Sequence, residues 1–204
     1  MQDLNRALAD ITAIKAQIAR DTQFRGFGPA TAAVTGLLAL MAAAVQGSVL
    51  PDAAARPGAY VALWIATAAL AAALVAAEVV TRSRRLHSGL AESMIFGTLE
   101  QFLPAAVAGA LLTAVLFRFS PESVPLLPGL WQILFALGVF ASGRMLPRSL
   151  FAAGVWYLLT GLASLAVAGG PAALSPWTMG LPFGLGQLLV AVLLHRSAGG
   201  LDDA

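Results

Sequence analysis

The residues of this chain that could carry chemistry are few, and most lie inside long apolar stretches. Glu100 and Gln101 are followed by Pro104, and a proline inside a helix frees the backbone carbonyl one turn earlier, here that of Glu100. A freed carbonyl beside a carboxylate and an amide can line a path for polar solutes, and the carboxylate can exchange protons. We therefore predict that Glu100 and Gln101 belong to a polar path at membrane depth.

The last apolar stretch has a matching irregularity, in which Pro182 precedes Gln187 and lies among Gly180, Gly184 and Gly186. The strings FGTLEQFLP and PFGLGQLL share the order Phe-Gly, then Gln, then apolar residues. Glycine- or proline-interrupted segments at corresponding places in two inverted halves indicate a transport site near the membrane centre. A proline-kinked bundle without an internal repeat is the alternative interpretation.

Two further polar residues complete the predicted path. Gln132 lies near the start of the fourth apolar stretch, and Glu78 lies near the end of the second. Glu78 precedes Arg82 by four residues, the favourable order for a helical ion pair, so an interfacial salt bridge is the simpler interpretation of Glu78. The predicted polar path comprises Glu78, Glu100, Gln101, Gln132 and Gln187.

Other chemistries have no pattern to support them. The chain has no cysteine and two histidines, His87 and His195, neither of which has a partner at metal-ligand spacing. Phosphate-binding glycine loops and Gly-x-Ser-x-Gly are absent from the sequence. We expect no catalytic residues, no metal, no cofactor and no nucleic-acid partner.

The elements that must position these residues are membrane-spanning helices. Hydrophobic residues make up 59% of the chain and charged residues 11%, against roughly 25% charged in soluble domains. A helix needs about 20 apolar residues to cross the hydrocarbon. The pattern predicts an all-α polytopic membrane protein with six transmembrane helices in an antiparallel bundle. The predicted spans are 29–45, 60–80, 95–117, 130–142, 150–168 and 179–194.

Basic residues predict the orientation of these spans. Ten of the 12 lysines and arginines fall on the side of the two termini, and only Arg56 and Arg118 fall on the other. We expect both termini in the cytoplasm and, because alanine is abundant and arginine far outnumbers lysine, a bacterial inner membrane. The predicted division is a cytoplasmic segment 1–28, a transmembrane domain 29–196 and a short cytoplasmic tail 197–204.

The N-terminal segment reads as an amphipathic helix. Its apolar stripe would lie on the inner leaflet, dock under its own bundle or pair with a second copy of the chain. It is also the predicted face for a membrane-protein partner. The stripe comprises Leu4, Leu8, Ile11, Ile14 and Ile18.

Small and aromatic residues predict how the bundle packs. Alanines 68, 72 and 76, alanines 69, 73 and 77, and the pair Gly180 and Gly184 recur every four residues, as in close helix contacts. Trp156 and Tyr157 are expected to face the bundle, where their polar groups find partners. An aromatic belt at the outer membrane surface is predicted for Tyr60, Trp64, Trp131 and Trp177.

Three functional classes remain open from the sequence. The first is transport of a small solute or ion along the polar path. The second is a non-catalytic membrane subunit or regulator that binds a protein or lipid through its N-terminal helix and basic inner loops. The third is an intramembrane lipid-modifying enzyme, for which no nucleophile or acid–base pair is visible. The polar path favours the first.

Overall fold

The computed structural model describes residues 28–86, 89–144 and 148–199. Within these ranges the chain is all-helical and contains no strand. The longer helices are α1 Pro29–Val49, α2 Pro57–Leu86, α3 Gly89–Phe119, α4 Leu127–Ala141, α5 Phe151–Ala166 and α6 Pro176–Gly199. Short 3-10 helices cover Pro121–Leu126, Ser142–Arg144 and Arg148–Leu150. The predicted N-terminal helix with Leu4, Leu8, Ile11, Ile14 and Ile18 lies outside the described residues, as does most of the predicted tail.

Prolines mark where several helices begin. Pro29, Pro57 and Pro176 are the first residues of α1, α2 and α6. A proline suits this position because it has no N–H to leave unpaired and its φ angle is already helical. Pro104 and Pro182 instead lie inside α3 and α6, and each helix continues on both sides of its proline.

Five helical segments are long and apolar enough to cross a membrane. They lie in α1, α2, α3 and α6, and in the unit formed by the 3-10 helix Pro121–Leu126 together with α4. Helix α5 is apolar but has only 16 residues, or roughly 24 Å at 1.5 Å per residue. The described part of the chain is therefore a bundle of apolar helices of membrane-spanning dimensions, as the composition predicts.

Glycines bring α1 and α6 into the most extensive helix contact of the described bundle. Gly180 lies against Ala43, and a Cβ at Gly36 would lie 2.9 Å from the carbonyl oxygen of Gly184. Backbones this close gain dispersion contacts that larger side chains would prevent. The predicted packing role of Gly180 and Gly184 is confirmed.

Helices α4 and α5 form the second close pair. A Cβ at Gly129 would lie 2.7 Å from the Gly161 carbonyl oxygen, and one at Gly161 would lie 2.9 Å from the Gly129 carbonyl oxygen. Gly154, farther along the same pair, lies against the ring of Phe140. The two close pairs are thus both built on glycine-to-backbone contacts.

Helices α2 and α3 lie at the periphery. In the most apolar 18-residue stretch of each of these two helices, only 6% is buried inside the protein. The corresponding share is 39% in α1, in the α4 unit and in α6. Helix α2 reaches the core mainly through Tyr60, Val61 and Trp64 in its first turns. The packing role predicted for its alanines is wrong within this chain, because that face points away from the bundle. Exposed alanines are found at positions 68, 69, 72, 73, 76 and 77.

Two apolar clusters occupy opposite ends of the bundle. One, termed here the Leu50 end, includes Leu50, Tyr60, Trp64, Leu127 and Leu174. The other, termed the Leu150 end, comprises Ala32, Leu150, Ala153, Val190, Ala191 and Leu194. The polar residues that could form a site lie between these clusters.

The predicted aromatic belt is largely wrong. Tyr60 and Trp64 are buried in the core, and Trp131 is half-buried with its indole N–H donated to Thr113 Oγ1 at 2.8 Å. Only Trp177 of the four is exposed. For Trp64 and Trp131 the physical reason is that the indole N–H finds a protein partner inside this bundle, so it does not need the headgroup layer to satisfy it.

Candidate functional site

Gln132 is the most enclosed of the residues predicted to line a polar path. Its side chain is 0% exposed at the junction of α4, α5 and α6. The amide nitrogen donates to the carbonyl oxygen of Thr178 at 3.0 Å and to Ser164 Oγ at 3.2 Å. The amide oxygen of Gln132 is also buried, yet it accepts no hydrogen bond from any described group.

Pro182 explains one of these bonds. In a regular helix the N–H of residue 182 would donate to the Thr178 carbonyl, but proline has no N–H. The Gln132 amide supplies the missing donor from another helix. One turn later the carbonyl of Pro182 itself accepts the indole N–H of Trp156 at 2.9 Å, as expected for a tryptophan that faces the bundle. The proline irregularity in α6 is therefore stabilised by side chains of α4 and α5.

Gln46 provides a contrast to Gln132. It is equally buried, but both ends of its amide have partners. Its nitrogen donates to the Leu174 carbonyl at 2.8 Å, and its oxygen accepts the Trp64 indole N–H at 2.8 Å. Gln46 therefore links α1, α2 and the segment before α6, with a partner at each end of its amide.

A cluster of four aromatic rings lies between Gln132 and the Leu150 end. Phe135 contacts the rings of Phe102, Tyr157 and Phe183 at centroid distances of 5.2, 4.7 and 5.6 Å. Tyr157 and Phe183 also pack together at 5.2 Å. These four residues are termed the ring cluster. They come from four different helices, α3, α4, α5 and α6. They lie at the centre of the part of the bundle that these four helices form, which is termed the α3–α6 half.

Tyr157 carries the one polar atom of the ring cluster. A Cβ at Gly186 would lie 2.5 Å from its hydroxyl oxygen, so the glycine is what makes room for the phenol. The hydroxyl lies beside Gln187 and forms no hydrogen bond of acceptable geometry with any described group. The expectation that Tyr157 faces the bundle is confirmed, whereas the expectation of a hydrogen-bond partner is not.

Gln101 and Ser142 add two more buried polar atoms near the Leu150 end. The Gln101 amide oxygen and the Ser142 hydroxyl are both sealed from the surface and receive no hydrogen bond from the described residues. Gln101 precedes Phe102, whose ring would meet a Cβ at Gly138 at 2.5 Å. Sequence reasoning missed Ser142, because a single serine at the end of an apolar stretch carries no pattern.

The remaining predicted path residues lie elsewhere. Glu100 is exposed on α3, and Glu78 faces α1. Both Glu78 carboxylate oxygens accept the backbone N–H of Gly28, at 3.0 and 3.1 Å. Gln187 is half-buried on α6, with its Cβ 3.1 Å from where a Cβ at Gly36 would lie. The structure thus brings Gln101, Gln132 and Gln187 into the interior and separates both glutamates from them.

We find no metal-binding site in the part of the chain that the structure describes. No group of three or more His, Asp or Glu side chains there could hold a metal ion. His195 is exposed near the end of α6. The interior polar groups there are instead amides and hydroxyls, which form hydrogen bonds without carrying a charge.

The all-helical fold of the described residues and their long apolar helices indicate an integral membrane protein. Comparison with protein-family models, with curated proteins and with solved structures finds no match.

Proposed function

We propose that this protein passes a small solute across the membrane along the α3–α6 half of its bundle. The observation that carries the proposal is the placement of buried polar atoms without partners. Of the five such side-chain atoms in the described residues, four lie in this half. An unsatisfied polar group buried in an apolar environment costs roughly 1–3 kcal/mol, so each needs a reason to persist. They are Ser142 Oγ, Gln101 Oε1, Tyr157 OH and Gln132 Oε1.

The order of these atoms supports a path. Gln132 lies within α4 and Ser142 directly follows that helix, roughly 15 Å away at 1.5 Å per residue. Tyr157 packs on Phe135, which lies between them in sequence. We propose that the four atoms lie along one path from the Leu150 end towards the Leu50 end, with the ring cluster between Ser142 and Gln132. The proposal assigns no catalytic step to the chain.

Six crossings with antiparallel neighbours belong to the same proposal. The contacts of Gly28 with Glu78 and of Gln46 with Trp64 support opposite directions for α1 and α2. Helix α5 is short, but the 3-10 helix Arg148–Leu150 directly precedes it and lengthens the segment. We propose that the protein lies in a bacterial inner membrane with its Leu150 end facing the cytoplasm, because the arginines concentrate in the loops at that end.

Two buried tyrosines offer a matched test of transport. Tyr157 and Tyr60 are each 0% exposed, and both hydroxyls lack a partner among the described residues, but only Tyr157 lies in the proposed path. Purified protein in lipid vesicles would be screened by stopped-flow light scattering for uptake of small polar solutes. We expect Tyr157→Phe to lower the uptake rate several-fold and Tyr60→Phe to leave it unchanged. Uptake no faster than in protein-free vesicles, or equal effects of the two variants, would overturn the proposal.

A non-catalytic membrane subunit is the second candidate. The observation that favours it is the peripheral position of α2 and α3. Only 6% of the most apolar 18-residue stretch of each helix is buried inside the protein. Small residues on the exposed face of α2 suit contact with another membrane helix. A cysteine introduced at Ala72 in the cysteine-free chain would form a specific cross-link in membranes if a partner helix binds there. Labelling of that cysteine by lipid-soluble reagents alone would count against the subunit role.

A further inference from the structure

The orientation of the Gln132 amide is fixed by its neighbours. If the nitrogen and oxygen were exchanged, the amide oxygen would face the Thr178 carbonyl oxygen at 3.0 Å, and two acceptors would repel each other. The nitrogen must therefore face Thr178 and Ser164, and both of its hydrogens are used there. The amide oxygen is left as an acceptor with two lone pairs, in a side chain that is 0% exposed.

The three helices that meet at the Gln132 amide carry no charge alongside it. Helices α4 and α5 contain no charged residue, and neither does α6 from Pro176 to Leu194. In such a low-dielectric environment an ion without a counter-charge is strongly disfavoured. A neutral acceptor in neutral surroundings selects a partner that donates a hydrogen bond and bears no net charge.

We infer that Gln132 Oε1 is the recognition point of the proposed path, and that the path takes small uncharged solutes with hydroxyl or amide donors. This inference rests on the proposed transport function and names its substrate class. Thr178, Ser164 and Pro182 act as positioning groups, because together they direct the amide oxygen away from the helix backbone. The ring cluster beyond Gln132 limits the size of a solute that can follow.

Radiolabelled uptake into vesicles tests the inference with glycerol and urea as uncharged donors and choline as a charged probe. We expect protein-dependent uptake of glycerol and urea and none of choline. Gln132→Met keeps the side-chain length and removes the acceptor together with the donors to Thr178 and Ser164, so it should lower glycerol and urea uptake by about three- to tenfold. Gln46→Met is the matched control, since Gln46 is equally buried but its amide oxygen already accepts the Trp64 N–H, and uptake per folded protein should stay at the wild-type rate.

A competition measurement on the unmodified protein covers the case in which Gln132→Met does not fold. Urea should compete with glycerol uptake, whereas acetone, which has the shape of urea without its N–H donors, should not. Equal competition by acetone, choline uptake equal to that of glycerol, or a wild-type rate in folded Gln132→Met would each overturn the inference while transport stands. Absence of all protein-dependent uptake would overturn the transport proposal itself, and this inference with it.

Discussion

Both oxygens of the Glu78 carboxylate accept a hydrogen bond from the backbone N–H of Gly28, at 3.0 and 3.1 Å. The two residues are 50 positions apart in the sequence. Gly28 is the residue before α1 begins, where backbone N–H groups have no partner within the helix. The carboxylate satisfies one of these groups and places a negative charge at the positive end of the helix dipole. The contact joins the end of α2 to the start of α1.

Glu78→Ala should therefore lower the free energy of unfolding by about 1–2 kcal/mol, because a charge-assisted hydrogen bond and a favourable dipole interaction are lost. Glu78→Gln keeps a neutral acceptor and should lose less. Unfolding in mixed detergent micelles measures both. Glu122→Ala, at an exposed position, is the control and should change stability little. A Glu78→Ala protein as stable as the control would show that the contact contributes nothing.

The close α1–α6 pair should be intolerant of side chains at Gly180. A Cβ there already collides with Ala43, so Gly180→Leu forces the helices apart and should cost about 3 kcal/mol. Gly169 has nothing within 4 Å of its Cβ position, and Gly169→Leu should stay within about 0.5 kcal/mol of wild type. The same unfolding measurement compares the two variants, and equal effects would contradict the close packing of α1 against α6.

Two tryptophans should differ in their contribution to stability. Trp64→Phe removes the donor to Gln46 Oε1 and leaves that oxygen buried without a partner, so a loss of about 1–2 kcal/mol is expected. Trp177 is exposed, and Trp177→Phe should change stability by less than about 0.5 kcal/mol. A larger effect at Trp177 would mean that the membrane surface, and not the core, anchors these residues.

Single cysteines should report the number of crossings, since the chain has no cysteine of its own. Exposed positions Ala54, Gly143 and Gly170 lie between successive spans. An impermeant maleimide added to intact cells is expected to label cysteines at 54 and 170, and to label 143 only after the membrane is opened. Labelling of 143 and 170 from the same side would mean that the short α5 does not cross.

The sequence by itself determined the class of the protein and most of its helices. Apolar stretches of membrane-spanning length fix helical structure locally, because a backbone in hydrocarbon must satisfy its own N–H and C=O groups. The glycines at 180 and 184 likewise predicted a close helix contact that the fold contains. The sequence therefore predicted the features that depend on the residues of one helix alone, namely its apolar length and its face of small residues.

Only the tertiary structure decided which polar residues form a site. Gln46 and Gln132 are the same residue type in similar apolar helices, yet one amide oxygen is paired with Trp64 and the other is not. Glu78 was expected on the polar path and instead contacts Gly28. Hydrogen-bond satisfaction depends on how each helix is rotated against its neighbours, and long-range glycine contacts set that rotation. No periodicity within a single helix encodes it.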